Sequence, residues 1–524
     1  MHPQIFKRIL RHNTDMERDM NLIDSLVAIV GEANVISDAA ARSLASSDLF
    51  PWPGRVVAEL VVRPASTDET SRVVSLLAAA GKSMVPRGAG LSYTAGAVPH
   101  APCVVIDSAR LDRIDIHADD MYVTVGAGCV WQTLSEALKP LGLRAIQISP
   151  ISGAVTTVGG LVSNNVPGGL DGVIGVTAVL ADGTVADTGS AASRQGLAFQ
   201  RYAGPDLTGL FLGDCGAFGI KTAVALRLAP ERAAAFGSFG FARADQMLAA
   251  MTTLLRRGLV TRAFSMDQAK GRSATTVDTA EAASIVSAVV KGATSVGGAL
   301  KDVAQLAFSR NVLRQAPWSL HLVVEGVSEA LAQTQLDLAR AVCLETGIEI
   351  DNVVPKTLRA KPYSIRGFLG VDGERWVPVH GIVPLSRAAA CHAALEAHIE
   401  RNASALASAG VKSSWLVSST GTYITIEPMF YWNDELDAIH LANLSERNRS
   451  RFAGRAANPA ARALVSRMRL ELRDIMDTHH AIHAQVGRFY RYADLMTPGS
   501  AALVRRIKQA LDPQGRMNPG VLGV

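Results

Sequence analysis

A chain of 524 residues, 48% hydrophobic and 19% charged, can bury more than one hydrophobic core, and its composition excludes a disordered or low-complexity protein. Its 52 Lys+Arg against 47 Asp+Glu give a net charge of +5, but the basic residues are scattered rather than gathered in a stripe, which argues against nucleic-acid binding. Five cysteines with no C-x-x-C pair predict reduced, buried thiols and a cytoplasmic address; neither an export signal nor a membrane span is expected.

Residues 1–55 read as a helical lead-in closed by Pro51-Trp52-Pro53-Gly54. Its basic run Lys7 to Arg11, flanked by Ile5, Phe6, Ile9 and Leu10, predicts a short helix packed on its own domain, with a membrane or partner contact as the less favoured reading. Val56 to Val62 is a β-branched strand, and Ser66-Thr67-Asp68-Glu69 is a capping box opening a helix that ends at Gly81. A short strand, Ser83 to Pro86, leads into the glycine loop Arg87-Gly88-Ala89-Gly90-Leu91-Ser92-Tyr93-Thr94-Ala95-Gly96. In a Rossmann fold such glycines open directly into a helix. Here they run into strands at Cys103 to Asp107 and Met121 to Val125 before a helix near Trp131 to Lys139, so that fold is excluded. Gly81-Lys82-Ser83 mimics the tail of a P-loop, but the leading glycine would fall at Leu76, inside a helix.

From Ile148 to Leu228 the chain is dense in small residues and turns: Ser152-Gly153, Val158-Gly159-Gly160, Ser163-Asn164-Asn165, Gly168-Gly169, and later Gly213 to Ile220. Bare backbone there can approach a ligand and offer N–H groups to a diphosphate and the edge of a planar ring, with the hydroxyls of Thr156 and Thr157 as further donors. Val176 to Leu180 with Ala181-Asp182-Gly183 reads as a strand and its turn. After Pro230 amphipathic helices (244–257, 327–346, 386–408) alternate with strands (319–325, 375–383, 414–427), which predicts a second domain with an antiparallel sheet backed by helices. The Ala/Val-rich stretch from Ile285 to Phe308 is broken by Lys291, Lys301 and Asp302, against a membrane span. A helix over 499–511 precedes a turn-rich ending.

Four motifs in order, Pro86-Arg87-Gly88-Ala89-Gly90, Thr157-Val158-Gly159-Gly160 with Asn164-Asn165, Gly204-Pro205-Asp206-Leu207-Thr208-Gly209-Leu210-Phe211 leading to Gly219-Ile220, and Asp512-Pro513 to Asn518-Pro519-Gly520, resemble the vanillyl-alcohol oxidase and p-cresol methylhydroxylase superfamily of flavoproteins, including its glycolate oxidase and D-lactate dehydrogenase branch. The resemblance covers residues 55–230 and 470–524. It implies an α+β fold: a two-part FAD-binding domain over 56–231, an inserted cap over 232–470, and a segment over 471–524 returning to the first domain. It implies FAD as cofactor, with the pyrophosphate on Pro86, Arg87, Gly88, Ala89, Gly90, Leu91 and Ser92. The isoalloxazine would lie along Pro150, Ser152, Gly153, Thr156, Thr157, Gly159, Gly160, Asn164, Asn165 and Gly169. Val173, Ile174, Gly175, Gly219 and Ile220 would be near the adenine or ribose, and Asn518 would belong to the cofactor site.

The sequence departs from the hydroxy-acid branch in one respect. That branch carries a Gly-Glu-His-Gly metal motif near its C-terminus and a Gly-Asp-Gly-Asn segment before it, where this chain has His483-Ala484-Gln485-Val486-Gly487 and Ser419-Thr420-Gly421-Thr422-Tyr423; no metal is expected. Ile482 to Tyr490 and Tyr423 to Glu427 alternate apolar and polar residues, as strands with one hydrogen-bonding face would. On that reading His483 takes a substrate proton, Tyr490 or Tyr423 holds an oxygen, and Arg488 or Arg491 holds an anionic group or the flavin edge. Gln485, Glu427 and His380 complete the candidate catalytic set. Covalent FAD is left open, since Leu91 or Ser92 stands where some relatives have a histidine, while His380 or Tyr431 in the cap could serve.

The expected function is hydride transfer from an alcohol or benzylic carbon of a small molecule, with phenolic or aromatic compounds slightly favoured, to flavin N5. A D-2-hydroxy acid is the close alternative, and a non-catalytic flavin- or ligand-binding protein is the rival of another class. The partners expected are a small-molecule substrate and an electron acceptor (oxygen, a quinone or a cytochrome), with a homodimer left open.

Overall fold

The structure, a computed structural model, describes residues 21–146, 152–166, 170–194, 196–270, 316–363, 368–370 and 372–524. The expectations for Lys7 to Arg11, Pro150, Gly169 and Ile285 to Phe308 lie outside these residues.

Three sheets organise the chain. The first contains β1 (Val35–Ile36), β2 (Leu60–Val62), β3 (Met84–Arg87) and β4 (Val104–Asp107) in the order β1-β2-β4-β3. β2 and β3 run parallel to β4, and β1 is antiparallel to β2. Leu60, Val61, Val62, Val104, Val105 and Ile106 are all buried, the near-continuous apolar pattern of parallel strands covered on both faces. The helix Thr67–Ala79 joins β2 to β3. Ser66 Oγ accepts the Glu69 N–H, and the Glu69 carboxylate accepts the N–H of Ala65, so the expected capping box forms with its return bond one residue early. The C-terminal turn closes beside β3: Met84 donates to the Arg516 carbonyl, and Asn518 donates to that of Met84.

The second sheet contains β5 (Ile114–His117), β6 (Tyr122–Gly126), β7 (Leu143–Ala145), β8 (Val173–Val179), β9 (Val185–Asp187) and β10 (Ile220–Pro230), ordered β5-β6-β10-β8-β9 with β7 also on β10. Its pairings are antiparallel. The predicted turn at Ala181-Asp182-Gly183 connects β8 and β9. Val73, Val74 and Leu77 of the helix Thr67–Ala79 share one core with Val179 and Ile220, which fixes the first sheet against the second.

The third sheet is antiparallel: β11 (Ala233–Phe241), β12 (Arg262–Asp267), β13 (Trp318–Gly326), β14 (Ile348–Glu349), β15 (Arg375–Pro378), β16 (Gly381–Pro384), β17 (Lys412–Ser419) and β18 (Tyr423–Trp432). The order is β14-β11-β13-β12-β17-β18-β15, with β16 on β18. The helices Ala244–Arg256, Glu329–Leu344 and Ala388–Arg401 share a core with Leu320, Leu322, Trp415, Val417 and Ile424. By strand alternation the opposite face carries Phe264, Met266, His321, Trp376 and Glu427.

Three local expectations are corrected. The small-residue stretch after Thr157 is a helix, Val158–Asn164, rather than a string of turns: Thr157 Oγ1 caps it through the Gly160 N–H, and Asn165 ends it at φ +48°. The strand expected over 375–383 breaks at Val379-His380, and the one expected over 414–427 is two strands parted at Thr420-Gly421-Thr422. Ile482 to Tyr490 is not a strand. Only Ile482 bridges, to Ile382, and Gln485 and Gly487 at φ +50° and +55° turn the chain, so its alternation is not expressed as two faces.

Candidate cofactor cleft and active site

A cleft of about 1250 Å³, counted to its open mouth, is lined by Pro86 to Tyr93, Ser152, Thr156, Thr157, Gly159 to Leu161, Ser163, Asn164, Cys215, Gly216 and Gly219 to Lys221. Phe368, Trp376 and Gln485 line it as well, and so tie it to the third sheet and the C-terminal segment. The helix Val158–Asn164 forms one wall because Gly159 lets it sit on the turn after β6: a Cβ there would stand 2.6 Å from the Ala127 Cβ and 2.8 Å from its carbonyl oxygen. The facing wall is the loop after β3. Its Gly90 has φ +73°, and a Cβ there would meet the Arg87 guanidinium 1.9 Å away. Arg87 is buried and donates to the Ser47 carbonyl at 2.7 Å, so it holds the loop from behind.

The backbone N–H groups of Gly88, Ala89, Gly90 and Leu91 donate to no acceptor among the described residues. Successive N–H groups left free along a concave glycine loop suit an anion such as a diphosphate. The residues present therefore fit FAD: free donors for the diphosphate, and a long cleft whose walls are kept close by glycine.

At the inner end Tyr93 packs edge-on against Trp376, ring centres 5.5 Å apart, and its hydroxyl accepts the Gln485 amide N–H at 2.9 Å. Gln485 is itself anchored by its backbone N–H on the Asn164 carbonyl at 2.5 Å. The carboxyl of Glu427, on β18, makes no hydrogen bond among the described residues. Burial pushes its carboxyl up to about 7, with the Lys270 ammonium opposing. Burial and the neighbouring Glu427 carboxylate together hold the Tyr93 phenol well above its ordinary value. Beneath Tyr93 the buried Arg469 donates to the Tyr93 carbonyl at 2.7 Å and lies 4.2 Å from the ring centres of both Phe50 and Phe489; burial lowers it to about 10.

The expected cofactor residues Pro86 to Ser92, Ser152, Thr156, Thr157, Gly159, Gly160, Asn164, Gly219 and Ile220 line the cleft. Others do not. Val173, Ile174 and Gly175 lie within β8, hydrogen-bonded to β10 and buried. Gly153 sits in a turn whose carbonyl accepts the Gln132 N–H, and Asn165 is the helix C-cap. Asn518 is spent on scaffolding, its amide donating to the Gly96 and Cys215 carbonyls at 2.8 and 2.7 Å.

Of the catalytic candidates, Gln485 lines the cleft and Glu427 is electrostatically coupled to its Tyr93. His483 has both ring nitrogens turned onto protein atoms, the His380 carbonyl at 2.9 Å and the Asp477 carboxylate at 2.8 Å, and stacks on Tyr490 at 4.0 Å, so the ring is not aimed into the cleft, which speaks against the base role expected of it. Tyr490 is buried, with its hydroxyl accepting the His380 N–H at 2.9 Å, and burial raises its phenol. His380 lies behind Tyr93, lowered to about 3 chiefly by burial and then by His483, so its ring is neutral. Arg488 holds no anion either. It donates to the carbonyls of Ala95, Val98 and Pro519 and to the Asn518 side chain. Arg491 pairs with Asp477 at 2.5 Å and Asp474 at 3.1 Å, and Tyr423 sits at the β17–β18 turn, paired with Pro384.

Sequence reasoning missed Tyr93, Ala127, Cys215, Gly216, Lys221, Phe368 and Trp376. Gly126-Ala127-Gly128 was a readable signal of close backbone approach, whereas nothing local marks Phe368 or Trp376. Among the described residues no group of three or more His, Cys, Asp or Glu could hold a metal ion, and no helix is long and apolar enough to cross a membrane.

The cleft and its three sheets define a flavin-binding protein, and comparison with known proteins agrees: residues 58–189 match the FAD binding domain, and residues 479–522 match the C-terminal domain of FAD linked oxidases. Over these two stretches the chain is similar to FAD-linked oxidases. It is 29% identical over 218 residues to glycolate oxidase subunit GlcD of Bacillus subtilis, covering 40% of this chain and 44% of that protein. It is 32% identical over 210 residues to a probable mitochondrial D-2-hydroxyglutarate dehydrogenase of Oryza sativa, covering 38% and 36%; the matches thus span less than half the length of these relatives. Among solved structures, p-cresol methylhydroxylase with substrate bound superposes with a TM-score of 0.72 at 15% identity over 96% of both chains. The 4-ethylphenol oxidase of Gulosibacter chungangensis gives 0.70 at 17% over 97% of both. The fold is accordingly α+β of the p-cresol methylhydroxylase type.

Proposed function

We propose that the protein is an FAD-dependent oxidoreductase that removes hydride from a carbon bearing a hydroxyl, or from the benzylic carbon of a phenol, with residues 232–470 serving as the lid over the flavin. Bound FAD supplies the hydride acceptor, its N5. The chain's part is to hold the diphosphate on the free N–H groups of Gly88 to Leu91, to place the ring between the helix Val158–Asn164 and the lid, and to remove a proton. Glu427 is the proton acceptor: it acts electrostatically on the cleft-lining Tyr93, its carboxyl has no hydrogen-bond partner among the described residues, and its value of about 7 suits a base near neutral pH. Tyr93, fixed by Gln485, donates to the substrate oxygen as its proton leaves.

The single observation that carries this reading is the unpartnered Glu427 carboxyl beside a cleft that fits FAD. An aromatic substrate is favoured by the rings of Tyr93, Phe368 and Trp376 at the inner end. The test is anaerobic mixing of purified protein with benzylic alcohols, 4-alkylphenols and D-2-hydroxy acids while flavin absorbance is followed. Bleaching by the first two classes supports the proposal. A flavin that none of the three reduces would instead favour a non-catalytic flavoprotein. The absorbance that remains with the protein after acid precipitation reports whether the flavin is covalently held.

A further inference from the structure

The face of the third sheet that carries Glu427 also carries a cation with donors left unused among the described residues. Lys270 lies in helical backbone just after β12, its N–H donating to the Asp267 carboxylate at 2.9 Å. Its Nζ donates to the Tyr431 hydroxyl at 3.1 Å and lies 5.9 Å from the ring centre of Trp376 and 5.8 Å from that of Tyr431. Those two residues face each other across the β15–β18 pair. No carboxylate among the described residues comes within 4.0 Å of Nζ, so an ammonium with three N–H bonds spends one of them on a neutral phenol.

Trp376 adds a second unsatisfied donor. Its ring lines the cleft, yet its buried indole N–H has no acceptor among the described residues. A buried donor without a partner is unfavourable, and a cation resting on two rings and wanting acceptors sits beside it. Both deficits are of one kind, which a ligand rich in acceptors would fill.

We propose that Lys270 and the Trp376 indole N–H form an anion subsite, so that the substrate carries a carboxylate at the end remote from the flavin diphosphate and Lys270 selects for it. This rests on the proposed function, because it assigns the lid face as the substrate wall. Tyr93, Trp376 and Lys270 follow one another in series, so a substrate whose oxygen meets Tyr93 can run its carboxylate past the Trp376 ring. Arg488 and Arg491, the cations the sequence offered for this task, are both occupied elsewhere. The planar guanidinium of arginine could replace the ammonium here in charge, whereas methionine keeps the length of the stem and removes the charge.

The test uses the flavin-loaded protein, its K270M and K270R variants, and benzoate and benzyl alcohol as titrants in calorimetry. Benzoate is expected to bind the unaltered protein more tightly than benzyl alcohol. K270M should lose about 10- to 100-fold in benzoate affinity, the worth of a charge-assisted hydrogen bond, and K270R should keep most of it. In flavin reduction, K270M should raise KM for 4-(hydroxymethyl)benzoate far more than for its methyl ester, with kcat moving less than KM. Benzoate binding K270M as tightly as the unaltered protein, or binding the unaltered protein no better than benzyl alcohol, would overturn the subsite. If neither alcohol bleaches the flavin, the oxidoreductase reading fails while the benzoate titrations still decide this one.

Discussion

Replacing Glu427 by glutamine separates the cost of burying this acid from its use. The folded protein holds the carboxyl at about 7 against 4.5 in the free state, burial being the cause and Lys270 the opposing influence. Each pH unit between those values is worth about 1.4 kcal/mol, so ionising Glu427 costs the fold at most about 3.5 kcal/mol; its residual solvent contact makes this an upper bound. The sign follows from linkage. A raised acid binds its proton more tightly when folded, so the penalty is absent below pH 4.5, grows as pH rises to 7, and is complete above it. Denaturant melts of E427Q and the unaltered protein should therefore coincide near pH 4, and E427Q should be the more stable by up to about 3.5 kcal/mol at pH 8. Activity should move the opposite way. In the unaltered protein, kcat/KM for flavin reduction rises with pH through a limb near 7, whereas E427Q lacks the limb and is slower by about 10²- to 10⁴-fold. An E427Q that keeps both the rate and the limb would refute the assignment of Glu427 as base, and equal stabilities at pH 8 would refute the burial argument beneath it.

The other predictions concern the scaffold. G159A places a Cβ against the Ala127 backbone and should displace the helix Val158–Asn164, weakening FAD binding; overpacking of about 1–3 kcal/mol corresponds to roughly 5- to 150-fold in Kd, read by flavin fluorescence on titrating apoprotein. H483A, which removes the bonds to Asp477 and the His380 carbonyl, should lower the midpoint of urea unfolding while leaving the rate of flavin reduction within a few-fold; a loss beyond about 10²-fold would restore it as a base. R488L strips partners from three partly buried carbonyls and the Asn518 side chain, and should cost about 3 kcal/mol or more of stability; an unchanged melting temperature would contradict the stapling role.

The glycine series was legible because each glycine marks a place where backbone must come close to something, and that requirement is local. Gly88, Gly90, Gly159 and Gly160 could be assigned to one cleft by their order alone. The inner end was legible only in part. Glu427 and Gln485 were among the candidates, but Tyr93, Trp376 and Lys270 meet through pairings between segments far apart in the chain, such as β15 with β18, which no local pattern encodes. His483 illustrates the converse. Its alternating neighbours imitate a strand, yet Gln485 and Gly487 adopt positive φ, and the bond to Asp477 six residues back turns the ring away from the cleft. Likewise Arg488 reads as a cation for an anionic group until the C-terminal turn at Asn518 folds back to receive it.

Hydrogen exchange with and without FAD tests the cradle most directly, since the amides of Gly88 to Leu91 find no acceptor within the described protein. Bound FAD should slow exchange across residues 86–94 and in the wall over 152–166, and leave distant segments such as the helix Glu329–Leu344 unaffected. Saturation with FAD that left the Gly88 to Leu91 amides exchanging as fast as before would place the flavin elsewhere and contradict the account.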